Sequence, residues 1–160
     1  MGKGSPRPLV VAWWAVTVAW AILIFFFSTR PFGANYTQSL LTWVLGLLHL
    51  HVSLHAVRLL NEVIRKLSHI MEYGFLALLL YGPSDGRLEN LWRPRRALFC
   101  VLAAAFYSLT DEFHQIFVPG RGASLIDCGL DTLGAGLAML LPFGGHQICL
   151  RTSRPINPKD

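Results

Sequence analysis

The sequence predicts an all-α membrane protein, a bundle of four transmembrane helices with an interfacial amphipathic helical segment between the first and second spans. Three observations carry that expectation. Hydrophobic residues make up 53% of the 160 and charged residues only 14%, about half the charged share of an ordinary soluble domain. The mean hydropathy is +0.45. Long apolar runs are closed by turn-forming segments, and the length fits one domain spanning residues 1–160.

The first span is residues 9–27, 19 residues without a charge and long enough as a helix to cross about 30 Å of hydrocarbon. It follows Lys3 and Arg7 as a signal peptide would, but it exceeds an ordinary signal core, and Phe25, Phe26 and Phe27 offer no small-residue cleavage site. It therefore reads as a retained span. Residues 28–33 break it, and residues 35–62 follow as one or two amphipathic helices whose apolar positions are interrupted by His49, His51, His55, Arg58 and Glu62. The second span, 65–81, reaches full length only if its polar first two turns are included, and residues 82–86 end it with strong turn chemistry. The third, 95–117, ends in the polar segment Asp111, Glu112, Phe113, His114, Gln115. The fourth, 125–143, carries Gly129, Gly134, Ala135 and Gly136, which permit close helix approach, and a polar tail occupies 146–160.

Basic residues set the expected orientation. Nine of the 14 lysines and arginines fall in the N-terminus, the 87–96 loop and the tail, so both termini are expected in the cytoplasm. A net charge of +5 does not point to nucleic acid, because the cations flank apolar runs and form no patch interleaved with aromatics. Cys100, Cys128 and Cys149 lack C-x-x-C spacing, which argues against a disulfide framework or thiolate metal site. They read as packing residues.

That topology brings three polar segments to the outer side. In residues 65–73, Arg65, His69 and Glu72 or Tyr73 recur on one helical face, with Lys66 one residue off it. A charge facing lipid costs about 2.5–3.5 kcal/mol on insertion scales, so this face must turn toward partners. Those are Asp111, Glu112 and Gln115 of the third span, Arg121 in the turn, and Asp127 and Asp131 of the fourth. His114 points about 100° away from Gln115 on its helix and is left out of the site. No nucleophile elbow, phosphate loop or nucleotide fingerprint occurs.

Taken together, Phe27 and Ser28, R-K-x-x-H-x-x-E-Y (Arg65, Lys66, His69, Glu72, Tyr73), D-E-x-x-Q (Asp111, Glu112, Gln115), P-G-R (Pro119, Gly120, Arg121), and the Asp127, Asp131, Gly134 series resemble the VanZ-like family. The resemblance covers roughly residues 27–136, and Asp131 stands where the family pattern favours Asn. It implies a small multi-pass protein of the bacterial cytoplasmic membrane, associated with reduced susceptibility to glycopeptides, notably teicoplanin.

Two chemistries suit the cluster. In the first, Arg65, Lys66, Tyr73, Gln115, Arg121, Asp127 and Asp131 line an outward-facing site for an amphiphilic or lipid-linked anion, with arginine offering a bidentate fork to phosphate. The partner is a membrane lipid, a lipid-linked cell-wall precursor or a lipoglycopeptide. In the second, His69 with Glu72, Asp111 or Glu112 transfers protons in an intramembrane hydrolase or transferase acting on a lipid-linked phosphate. The competing reading of each residue is structural: a histidine hydrogen bond between helices, or cations compensating carboxylates. The cluster has no H-x-x-x-H or H-E-x-x-H ligand spacing, the His51 and His55 pair being explained as well by an interfacial surface helix, and no cofactor is expected, although the cluster's excess of acids over bases would admit a divalent metal, protonated carboxyls or water.

Overall fold

The computed structural model describes residues 7–29, 34–50, 52–82, 92–118 and 122–152, and all regular structure among them is helical. The helices are α1 (Arg7–Phe27), α2 (Ala34–Leu47), α3 (Leu54–Tyr81), α4 (Pro94–Gln115), α5 (Leu125–Ala138) and α6 (Leu140–Thr152).

Two boundaries differ from expectation. Residues 54–62 belong to no separate interfacial element: they are the first turns of α3, which runs unbroken through the polar face. Ser53 starts it, its Oγ accepting the Ala56 N–H at 3.3 Å, and no glycine or proline lies between Leu54 and Tyr73 to stop it. At its far end Gly82 adopts φ 61° and donates its N–H to the Leu78 carbonyl, a conformation open to glycine at little cost. The fourth apolar region is also not one even helix. It turns at Met139, then resumes as α6 through Thr152, taking up the first part of the expected polar tail. Pro142 explains the turn, since its ring excludes the carbonyl of Ala138 four residues back and it has no N–H to donate.

Cross-helix contacts fix the packing. Trp13 Nε1 donates to the Leu79 carbonyl at 2.7 Å and Trp20 Nε1 to the Glu72 carbonyl at 3.1 Å, so α1 runs antiparallel to α3. Tyr107 OH donates to the Ala21 carbonyl, and Ser28 Oγ reaches Asp111, which makes α4 parallel to α1. Ser108 meets Asp131 while Ser124 meets Glu112, so α5 is antiparallel to α4 and parallel to α3.

Small residues set the separations. Ala97, Cys100 and Ala104 recur at helical spacing on α4 and are buried with Tyr73, Leu76, Ala77 and Tyr81 of α3 and Ile24 of α1. Gly134 is the tightest point of the α3–α5 seam: a Cβ there would overlap the Ile70 carbonyl, and one at Gly74 would lie 3.1 Å from the Gly134 carbonyl. Gly129 and Gly136 make no such approach. Only one of the three small-residue glycines on this helix does what the sequence suggests for all three.

The outer surface is apolar. Phe99 and Phe106 of α4 are each 70% exposed, and Met71, Leu125 and Ile126 are exposed as well, which suits hydrocarbon rather than water. Two stretches, Pro8–Phe27 and Leu125–Thr152, are long and apolar enough to cross a membrane. Cys100, Cys128 and Cys149 are all free thiols.

Candidate functional site

Helical spacing gathers the polar residues into three stripes. Glu62, Arg65, Lys66 and His69 occupy one side of α3; Ser108, Asp111, Glu112 and Gln115 recur at i, i+3, i+4 and i+7 on α4; Asp127 and Asp131 stand a turn apart on α5. Because α4 runs antiparallel to both α3 and α5, the C-terminal end of α4 and the N-terminal parts of α3 and α5 meet at one end of the bundle. Between them lies a cavity of about 250 Å³. Arg65, Lys66, His69 and Glu62 form one wall, Glu112 and Gln115 another, and Asp127, Leu130 and Asp131 the third, with Gly122 at the edge.

Most carboxylates here already have donors. Lys66 Nζ stands 3.9 Å from Asp127 Oδ1, a half-exposed pair of small energetic weight. Asp131, 1% exposed, accepts the Ser108 hydroxyl at 2.6 Å on Oδ2, and its Oδ1 lies 3.7 Å from His69 Nδ1. That second distance exceeds hydrogen-bond length but leaves the imidazole facing a carboxylate. Glu112 Oε2 accepts the Ser124 N–H at 2.7 Å and so holds the entry to α5, where Ser124 Oγ in turn caps Asp127 N at 3.3 Å. Arg65 makes no ion pair with any described residue.

Seven of the residues expected at the site line this cavity: Arg65, Lys66, His69, Glu112, Gln115, Asp127 and Asp131. Three others lie elsewhere. Asp111 is a strut between helices, its Oδ2 accepting Ser28 Oγ at 2.5 Å and Gln115 Nε2 at 3.1 Å. Tyr73 is fully buried behind the cavity, its ring stacked on His69 at 6.3 Å and its hydroxyl in electrostatic reach of Asp111 and Asp131. Glu72 lines a second depression, an apolar groove of about 580 Å³ shared by α1, α3 and α5, whereas Asp131 lies 3.7 Å from His69 Nδ1. One helical turn carries a side chain about 60° off the His69 direction in three residues, enough to move Glu72 to the next face. Arg121 lies outside the described residues.

Sequence reasoning missed Ser108 and Glu62. Ser108 was detectable, since it precedes Asp111 by three residues on the same stripe, but a serine in an apolar run looks like a small packing residue. Glu62 was assigned to an interfacial helix that proved to be the start of α3. His114 stays outside the cavity, its ring 4.4 Å from that of Phe25.

The arrangement offers a guanidinium with no ion pair among the described residues, an imidazole facing a buried carboxylate, and an amide at Gln115. Among the described residues, no group of three or more His, Cys, Asp or Glu side chains is placed to hold a metal ion. Comparison with curated proteins and with solved structures gives no match. The VanZ/LLP1 family model matches residues 13–144, a span containing every residue that lines the cavity. On that match over most of its length, the chain belongs to the VanZ-like family of membrane proteins.

Proposed function

We propose that the cavity binds the anionic head group of an amphiphile at the outer leaflet, and that through this binding the protein acts in the cell envelope and in resistance to glycopeptides such as teicoplanin. The observation that carries this reading is Arg65. Asp127, Asp131 and Glu112 are engaged by Lys66, Ser108 and the Ser124 N–H, whereas the Arg65 guanidinium lines the cavity with no ion pair among the described residues. A phosphate or carboxylate head would meet a two-pronged donor there. Four spans, from α1, α3, α4 and α5 with α6, complete the picture, with both termini in the cytoplasm and the cavity outward. The nine-to-five division of basic residues and the alternation of helix directions support it.

The test is native mass spectrometry of the protein released from detergent after purification from membranes. Parent protein should carry an anionic amphiphile stoichiometrically, and Arg65→Gln should lose it while remaining monodisperse. Equal occupancy in both would remove Arg65 from the reading.

One observation favours a second reading, an intramembrane hydrolase or transferase acting on a lipid-linked phosphate: His69 faces Asp131, which Ser108 orients from behind. An imidazole so held can take and return a proton. Phosphate release from a polyprenyl diphosphate in proteoliposomes, abolished in His69→Gln, would establish it; stable binding without release would leave the binding role alone.

A further inference from the structure

We infer that the head group held at Arg65 is zwitterionic: its anion carries a primary ammonium on a short tether, and the cavity's carboxylates take up that ammonium. This deepens the head-group reading above and rests on it.

Charge is the main argument. Four carboxyl groups, Glu62, Glu112, Asp127 and Asp131, line the cavity against two basic side chains, Arg65 and Lys66. The donors to Asp131 and Glu112 are a hydroxyl and a backbone N–H, which satisfy lone pairs without cancelling charge. Lys66 offsets Asp127 alone. Even with His69 protonated, acids outnumber bases among the described lining residues. A bare anion would therefore enter a cavity already in excess of its own sign, and like charges brought together in a site repel. An ammonium on the same ligand removes that opposition.

The α3 wall has the matching geometry. Glu62 and Arg65 stand three positions apart on one helix, neighbours on its surface and about 4.5 Å apart along its axis. Opposite charges at this spacing can pair with each other, yet neither makes an ion pair with any described residue. A ligand whose cation and anion are separated by two carbons can meet both.

An ammonium has three N–H groups to place, and the walls offer acceptors for them. Glu62 supplies one at the exposed mouth. Asp131, 1% exposed, keeps its Oδ1 without a hydrogen-bond donor among the described residues, the nearest basic atom being His69 Nδ1 at 3.7 Å. Gln115 gives its Nε2 to Asp111, and because an ionised carboxylate only accepts, the amide nitrogen is fixed on that side and its oxygen is the end left for the cavity. A quaternary ammonium has no N–H to offer these oxygens, so the site should tell the two cations apart.

The experiment titrates full-length protein in detergent with three soluble phosphodiesters that share one anionic group: glycerophosphoethanolamine, glycerophosphocholine, and glycerophosphoglycerol, which has no cation. Glycerophosphoethanolamine should bind roughly tenfold tighter than either of the others. Glu62→Gln, and independently Asp131→Asn, should erase most of that preference without weakening glycerophosphoglycerol, whereas Arg65→Gln should weaken all three. Dihexanoyl phosphatidylethanolamine and phosphatidylglycerol carry the same comparison to lipids: tighter binding of the lipid than of its free head group marks a membrane phospholipid as the source, equal binding marks a soluble phosphoester, and the ammonium preference should hold in both pairs. If the parent binds the three phosphodiesters equally, or both carboxylate variants keep the full preference, the zwitterion assignment is overturned and the head site stands. Magnesium raising glycerophosphoglycerol to the affinity of glycerophosphoethanolamine would mean that the carboxylates serve a divalent cation, which also overturns it. If no probe, lipid or soluble, binds the parent, the head reading fails and this inference falls with it.

Discussion

The α3–α5 seam allows one chemical change to be made at three places on one helix with opposite expected results. In Gly134→Ala the added methyl overlaps the Ile70 carbonyl, a backbone atom that cannot swing aside, so the two helices must separate. Overpacking of this kind costs about 1–3 kcal/mol. In Gly129→Ala and Gly136→Ala the methyl meets nothing within 4 Å, and alanine is the better helix former by up to about 1 kcal/mol. The expected spread between Gly134→Ala and the other two is therefore about 1–4 kcal/mol, adding the gain at the open sites to the loss at the closed one. Thermal unfolding of the three variants in one detergent, followed by intrinsic fluorescence, measures it. Gly134→Ala should melt lowest and Gly129→Ala at or above the parent. If Gly134→Ala is as stable as Gly129→Ala, the helices do not touch at Ile70 and the close α3–α5 seam is wrong.

Other expectations follow from single contacts. Ser28→Ala removes the donor to a buried carboxylate, and should cost about 1–3 kcal/mol in unfolding free energy; the loss should shrink in an Asp111→Asn background, as a double-mutant cycle would register. Ser108→Ala should destabilise by a similar amount and also lower any turnover, while Ser108→Thr, keeping the hydroxyl, should restore part of both. Glu72→Gln should leave phosphate affinity unchanged where Arg65→Gln reduces it, because Glu72 faces the groove; equal losses in isothermal titration would contradict that placement. For topology, impermeant maleimide should label Gly122→Cys from outside and leave Ser84→Cys protected, in a background without the native cysteines; reversed labelling would invert the proposed orientation.

Long uncharged runs made α1 legible, and α3 ends at Tyr81, capped by Gly82, where expected. Polar-to-apolar transitions were less informative. Residues 54–62 carry Arg58, Asn61 and Glu62, and composition alone suggests a surface segment, yet Asn61 is buried and the helix simply begins there. The decisive feature was an absence, no glycine or proline, which hydropathy does not register. Helical spacing put Arg65 with His69 and Asp127 with Asp131, and all four line one cavity, because periodicity reports direction within one helix. It could not report the rotation of α3 against α5, and so could not tell that Asp131 faces His69 while Glu72 lines the apolar groove. Nor could it separate Asp111, which ties α4 to α1 through Ser28, from its neighbour Glu112, which lines the cavity.

Three of the hydrogen bonds that dock α1 share an unusual trait: Trp13 and Trp20 donate to the main-chain carbonyls of Leu79 and Glu72, and Tyr107 donates to that of Ala21. Every residue type supplies such a carbonyl. The attachment of α1 is therefore one-sided in its genetics, written in two tryptophans and a tyrosine and silent at the three positions they grip. A saturation scan should find Trp13, Trp20 and Tyr107 intolerant while the side chains at 21, 72 and 79 are judged only on their own packing, and paired substitutions across these contacts should show no compensation. Homologous chains could thus change the gripped residues freely and keep the same docked helix, leaving no covariation to betray the contact.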